Sequence, residues 1–142
     1  YGWGYGTGKE RFVRLYRSAK SGNPFHPITP QLLQEKGYPN ETAMVMEGDH
    51  AWCLLRRDAK PPFNTALMGT AKAPFTEWTW MDLGVQIGGP AMLRLPGGQF
   101  LATVRLYSPK VRTARSTRQW SRVQNGGRSV CVTQVNDRRG TW

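Results

Sequence analysis

Two residues of opposite charge, Glu41 and Arg56, are spaced so that they could do chemistry together. The stretch 41–57, ETAMVMEGDHAWCLLRR, reads as two short apolar strands around Gly48-Asp49. A two-residue hairpin loop favours glycine in its first position. That turn makes the numbers of cross-strand partners sum to 97, so Glu41 faces Arg56. Directly opposed side chains sit roughly 5 Å apart at Cβ on one face of a sheet. Carboxylate and guanidinium should therefore converge at one end of the hairpin. The plain reading is a cross-strand ion pair worth a fraction of a kcal/mol.

The elements that must hold this pair appear twice. GPAMLRLPGGQFLATVRLY (89–107) repeats the order of 41–57: Ala-Met, apolar strand, glycine turn, second strand, arginine. Ala43 and Ala91 are 48 apart, and Arg56 and Arg105 are 49 apart. A period of about 40–50 residues is that of one four-stranded propeller blade. A turn at Gly97-Gly98 makes partners sum to 195 and sets Arg105 opposite Pro90. No acid stands there, so the repeat itself does not demand Glu41.

Along the chain, 9–18 carries the aromatic and β-branched content of a strand, and 18–30 is a Gly/Pro/Asn turn. QLLQEKGYPN (31–40) is the one place where a helical turn fits, ended by Gly37 and Pro39. The first complete blade has strands at about 42–46, 51–57, 65–70 and 78–87. Trp78 and Trp80 share a face of its fourth strand; a sugar-stacking platform is one reading, and locking adjacent blades together is the favoured one, because large aromatics dominate core burial. In the next blade, 100–107 alternates well and VRTA (111–114) is the expected third strand. After Ala114 the alternation fails, and a disordered or poorly packed tail over 115–142 is expected. A reading-frame shift after Ala114 would produce such an abrupt change.

The all-β expectation is thus a set of β-propeller blades of four antiparallel strands. Residues 1–114 are a partial propeller, with 1–40 the end of one blade and a connector, 41–88 a complete blade and 89–114 the start of another. Two to three blades fall short of the 4–8 of a closed propeller, so further blades or self-association are expected to cover open sheet edges. The net charge of +11 raises nucleic acid as a partner. Six arginines against Asp137 in 115–142 supply +5 of it, and the tryptophans follow blade spacing, so nucleic-acid binding ranks last. Cys53 and Cys131 lack metal-ligand spacing; a buried free thiol at Cys53 and a disulfide between the two both stand open. His26 reads as a solvated or packing side chain, because the only other histidine, His50, lies in a predicted turn. No metal, cofactor or membrane span is expected.

With this grammar in place, the chain resembles the sialidase (neuraminidase) superfamily, particularly bacterial sialidase-like proteins with BNR or Asp-box repeats. The resemblance rests on RFVRLYRSA, YPNETA, CLLRRD, GTAKAPFTEWTWMDLG and GGPAMLRLPGGQFLATVRLY, and covers 1 to about 114. It implies an internal fragment of a six-bladed propeller. The Asp-box turn is degenerate: Ser18, Gly22 and Phe25 fit its spacing, while Lys20 and Pro24 depart from it. Thr70 to Trp80 occupies a second such turn. The family uses a glutamate in an Asn-Glu motif to assist a tyrosine nucleophile, which implies that role for Glu41. Its arginine about 16 residues later implies Arg56 as a grip on the substrate carboxylate, with Arg112 the best match for a further arginine and Arg105 the fallback. Arginine suits the task because its planar fork meets a carboxylate with two parallel charge-assisted hydrogen bonds.

The family's first arginine and acid/base aspartate fall upstream of Tyr1, and its tyrosine nucleophile falls in the segment after Ala114. Tyr107 lies on a second strand and does not replace it. The resemblance therefore implies a glycoside hydrolase that releases terminal sialic acid or a related acidic sugar when whole, inactive as this chain alone, with a secreted or periplasmic setting. A non-catalytic propeller that binds glycan or protein is the competing reading.

Overall fold

The structure, a computed structural model, describes residues 1–96, 98–107, 121–125 and 128–134. It is all-β, with no helix among the described residues. Strands β1 (Gly2–Tyr5), β2 (Val13–Arg17) and β3 (His26–Pro27) form one antiparallel sheet. Strands β4 (Pro39–Glu47), β5 (His50–Arg57), β6 (Leu67–Lys72) and β7 (Thr79–Asp82) form a four-stranded antiparallel meander in chain order. In the third sheet, β8 (Ile87–Arg94) and β9 (Phe100–Leu106) are joined by β10 (Ser121–Asn125) and β11 (Arg128–Gln134), in the order β10-β11-β9-β8.

The meander lies between the other two sheets because β5 is apolar on both faces. Trp52 and Leu54 pack with Met68, Phe100, Ala102 and Val104 toward the third sheet. Ala51 and Leu55 pack toward Leu15 and Val13 of the first. Trp3 packs edge-on against both Trp78 and Trp80, with ring centroids 5.0 and 6.2 Å away, while those two rings stack on each other at 5.9 Å. The two tryptophans of this fourth-strand region thus join sheets. Trp80 can lie flat over β6 only because Gly69 has no side chain: a Cβ there would stand 2.6 Å from both the Trp80 ring and Cys53 Sγ. Cys53 is a fully buried free thiol, and burial pushes its pKa up.

The β4–β5 hairpin has the expected register, Glu47 opposite His50 and Thr42 opposite Leu55. Gly48 takes φ +57 and Asp49 stays out of the positive region, as a loop with glycine leading requires. The second hairpin differs from expectation. Arg94 pairs with Phe100 and Ala91 with Thr103, one residue off the expected sum, because the loop is odd-numbered: Gly98 (φ +77) donates its N–H to Leu95 O and Leu95 donates to Gln99 O. A further shift between Gly88 and Ala91 sets Arg105 opposite Gly88 instead of Pro90.

Other departures follow from local backbone. Residues 31–40 make no helical turn: Leu33, Glu35, Gly37 and Tyr38 all have positive φ, and Leu32 exchanges hydrogen bonds with Val13. The fourth meander strand stops at Asp82, whose Oδ1 accepts from Gly84 N–H (2.8 Å) while Gly84 turns at φ +68. The expected strand 111–114 lies outside the described residues. The neighbour of β9 is instead β11, which runs parallel to it, and β11 pairs antiparallel with β10. Both lie within 115–142, where alternation is poor; the run Val130-Cys131-Val132-Thr133 nevertheless has strand composition.

Candidate functional site

Two β-bulges face each other where the second and third sheets meet. The register of β4 shifts between Pro39 and Thr42, and that of β8 between Gly88 and Ala91. A bulge frees backbone groups from the ladder and re-aims a side chain. In β4 it carries Asn40 and Glu41; in β8 it carries Gly89 and Pro90. Glu41 and Gly89 hold the same position in the internal repeat, 48 residues apart, and they touch: Gly89 N–H donates to Glu41 Oε2 at 2.9 Å.

Arg56 approaches the same oxygen from β5, its Nη1 donating to Glu41 Oε2 at 2.7 Å. The pairing expected from the hairpin register is therefore formed. Arg56 Nε donates to Asp58 Oδ1 at 2.8 Å, so the guanidinium lies between two carboxylates. Asn40, buried, braces the corner. Its Nδ2 donates to Asp58 Oδ2 (2.9 Å) and Tyr38 O (3.2 Å), and its Oδ1 accepts from Glu41 N–H (2.7 Å). Arg105 completes the set: its Nε and Nη2 would lie 3.6 and 3.7 Å from a Cβ on Gly89. Gly89, at φ +54, aims its N–H at Glu41.

The electrostatics follow. Arg56 holds the Glu41 carboxyl below its ordinary pKa, with help from Gly89 N–H, against a smaller effect of burial. Burial works against the charge of Arg56, and its bonds to Glu41 and Asp58 outweigh it, so that pKa is raised. The Arg56 side chain is 19% exposed and that of Glu41 42%. The corner is thus a carboxylate cradle made of the Arg56 guanidinium and the Gly89 N–H, with the charge of Arg105 nearby, open to solvent and filled by the chain's own Glu41.

Of the residues singled out from sequence, Glu41 and Arg56 are together, Arg105 is beside them, and Arg112 lies outside the described residues. Sequence reasoning missed Asn40, Asp58 and Gly89. The first two are next to the expected pair in YPNETA and CLLRRD, and Gly89 could have been found as the repeat equivalent of Glu41. Tyr107, 44% exposed, packs over Gly88 with the Arg105 guanidinium 5.9 Å from its ring centroid.

Arg57, the next residue, is structural. It is 4% exposed and points to the other face, where Nε donates to Thr65 O (2.6 Å) and Nη2 to Thr65 Oγ1 (2.9 Å) and Asp82 Oδ2. Burial opposes ionisation of Asp82, but the Thr65 hydroxyl, Gly84 N–H and Arg57 leave its pKa lowered.

An open groove of about 880 Å³ lies at the opposite end of the meander, lined by residues that include His50, Thr70, Lys72 and Trp78. Among the described residues no three His, Cys, Asp or Glu gather to hold a metal ion, and no helix is long and apolar enough to cross a membrane. The chain matches no protein-family model, no curated protein and no solved structure.

Proposed function

We propose that the chain is part of a sialidase-like glycoside hydrolase, built on propeller blades, in which the Glu41–Arg56 corner handles the carboxylate of an acidic sugar. The observation that carries this reading is the cradle: Arg56 Nη1 and Gly89 N–H converge on one carboxylate oxygen, with Arg105 alongside. Donors in that arrangement suit a sugar carboxylate as well as they suit Glu41. An arriving carboxylate would take Arg56 from Glu41 and remove the interaction that lowers its pKa. Glu41 would become more basic as substrate binds, which fits assistance to a tyrosine nucleophile supplied by the rest of the protein. A second catalytic carboxylate facing Glu41 is not required, since sialidases depart from the two-carboxylate scheme by using a tyrosine nucleophile.

The face-to-face stacking of the meander between two sheets supports the blade reading. Exposed Phe25, Leu93 and Tyr107 fit a protein in which further blades cover the outer sheets. One observation favours the competing reading, a non-catalytic propeller that binds glycan or protein: Arg56 is already neutralised by Glu41 and Asp58.

Hydrolysis of a fluorogenic sialoside separates the two. A version extended at both ends should turn over, this chain alone should not, and Glu41→Ala and Arg56→Ala in the extended protein should abolish turnover. A folded extended protein that is inert, or an active Arg56→Ala variant, would refute the hydrolase assignment.

A further inference from the structure

We infer that a pocket beside the Glu41 corner, lined by Arg11, Tyr38, Asp58, Ala59 and Lys60, is an anion subsite for the second acid group of a ligand whose first carboxylate enters the corner. The inference rests on the carboxylate reading of that corner and names its ligand class: a glycan carrying two adjacent acidic sugars.

Three chain segments meet here because of strand direction. Pro39 is opposite Arg57, so the start of β4 and the end of β5 share one end of the meander. Tyr38 immediately precedes that start, and Asp58, Ala59 and Lys60 follow that end. Asp58 donates its N–H to Gly37 O (3.0 Å) and Tyr38 O (3.2 Å), and Ala59 donates to Gly37 O (3.1 Å), so the two segments are clamped together. Arg11 comes from the loop before β2, where Val13 N–H donates to Leu32 O (3.1 Å). Its guanidinium lies over the Tyr38 ring, 5.3 Å from the centroid, and its Nε donates to Gly8 O at 3.3 Å. These contacts fix the group and leave both Nη atoms without a hydrogen-bond partner among the described residues.

The charges at this end favour an anion. The one carboxylate in the wall is already engaged: Asp58 Oδ1 accepts from Arg56 Nε (2.8 Å) and Oδ2 from Asn40 Nδ2 (2.9 Å). Neither Arg11 nor Lys60 forms an ion pair among the described residues. Glu10 and Glu35 share a separate recess with Arg11 and do not pair with it. The Nη edge of a guanidinium meets a carboxylate in two charge-assisted hydrogen bonds. Because Arg11 and Lys60 are exposed, solvent screens each of them and neither alone would hold an ion tightly. Joined to the corner they gain. Arg56 reaches Asp58 with Nε and Glu41 with Nη1, so a single guanidinium separates the pocket from the corner. A ligand bridging that group makes its second contact intramolecularly. The pocket volume of about 460 Å³ accommodates a sugar ring.

The test is calorimetric titration of the full chain carrying Glu41→Ala, whose corner lacks its own carboxylate. The ligands are sialic acid and its α2,8-linked dimer, at low ionic strength, where exposed charges are least screened. The dimer should bind about tenfold or more tightly than the monomer. Adding Arg11→Gln/Lys60→Gln should remove that difference and leave monomer binding within about twofold. Adding Lys20→Gln/Lys72→Gln instead changes net charge equally, past the end of β2 and at the far end of β6, and should keep the difference. The inference is overturned if the dimer binds no better than the monomer, if Arg11→Gln/Lys60→Gln keeps the preference, or if Lys20→Gln/Lys72→Gln removes it, which would mark a response to net charge alone. Monomer binding reads the corner separately. A bound monomer without preference for the dimer ends this inference and leaves the corner reading intact, whereas binding of neither sugar ends both. A preference for the dimer in a protein that hydrolyses no sialoside would support the subsite and remove only the hydrolase assignment.

Discussion

Truncation of Glu41 to alanine should turn a filled carboxylate cradle into an empty one, and free acetate should then stabilise the variant. Glu41 accepts from Arg56 Nη1 at 2.7 Å and from Gly89 N–H at 2.9 Å. Charge-assisted hydrogen bonds are worth about 1.5–3 kcal/mol when shielded and exposed ion pairs about 1 kcal/mol or less. With the Glu41 side chain 42% exposed, solvent screening puts the loss at the low end, about 1–2 kcal/mol in all. Arg56 is not orphaned, because Asp58 still holds Nε. An acetate Kd of about 10 mM would return about 1.4 kcal/mol at about 100 mM acetate by mass action. For a domain of this size that is about 4–6 °C in Tm. Thermal melts at pH 7 in sodium acetate against sodium chloride of equal ionic strength read the effect. If Glu41→Ala melts at the same temperature in both salts, or the parent gains as much from acetate, the cradle argument is wrong.

Three further outcomes follow from the packing and the charges. Gly69→Ala places a Cβ 2.6 Å from Cys53 Sγ and the Trp80 ring, so urea titration should show a loss of about 2–3 kcal/mol; adding Cys53→Ala should recover part of it, and a Gly69→Ala variant as stable as the parent would contradict the contact. Arg57→Met removes the guanidinium bonded to Thr65 and Asp82. The cost should be about 3 kcal/mol, the low end for a buried pair because Asp82 regains water, and Arg57→Lys should restore less than half. Because the Glu41 and Asp82 pKa values are both lowered in the fold, their stabilisation is present above the ordinary carboxyl range and is lost as pH falls through the folded values. The urea midpoint should therefore drop on acidification below about pH 5, and Glu41→Gln with Asp82→Asn should flatten that limb.

Much of the corner is legible in the sequence because hairpin geometry is local. Gly48-Asp49 sets the register of 42–47 against 50–55 and so brings Glu41 close to Arg56, and the bulge between Pro39 and Thr42, which local pattern does not announce, sets how the two side chains meet. The second hairpin is one residue away from its expected register because PGG can close either an even or an odd loop, and the hydrogen bond from Gly98 to Leu95 decides between them. Alternation alone carries the fourth strand of the meander to 87, but Asp82 and Gly84 make a turn whose signal is one side-chain hydrogen bond. The helical turn expected near 31–40 gives way to four positive-φ residues and a bridge to Val13, a partner far away in sequence. The same distance hides the pairing of β11 with β9.

By itself the sequence determined the all-β class, the internal repeat and the partners within the first hairpin, because alternation, turn chemistry and register act over a few residues. Tertiary structure decided what the repeat brings together. Only when the meander packs on the third sheet does the bulge of β8 meet that of β4, so that Gly89 N–H reaches a carboxylate already held by Arg56, with Arg105 beside Gly89. That convergence depends on the packing of Trp52, Leu54, Phe100 and Val104 between the sheets. Apolar burial is non-directional, so no local pattern announces which bulge will face which.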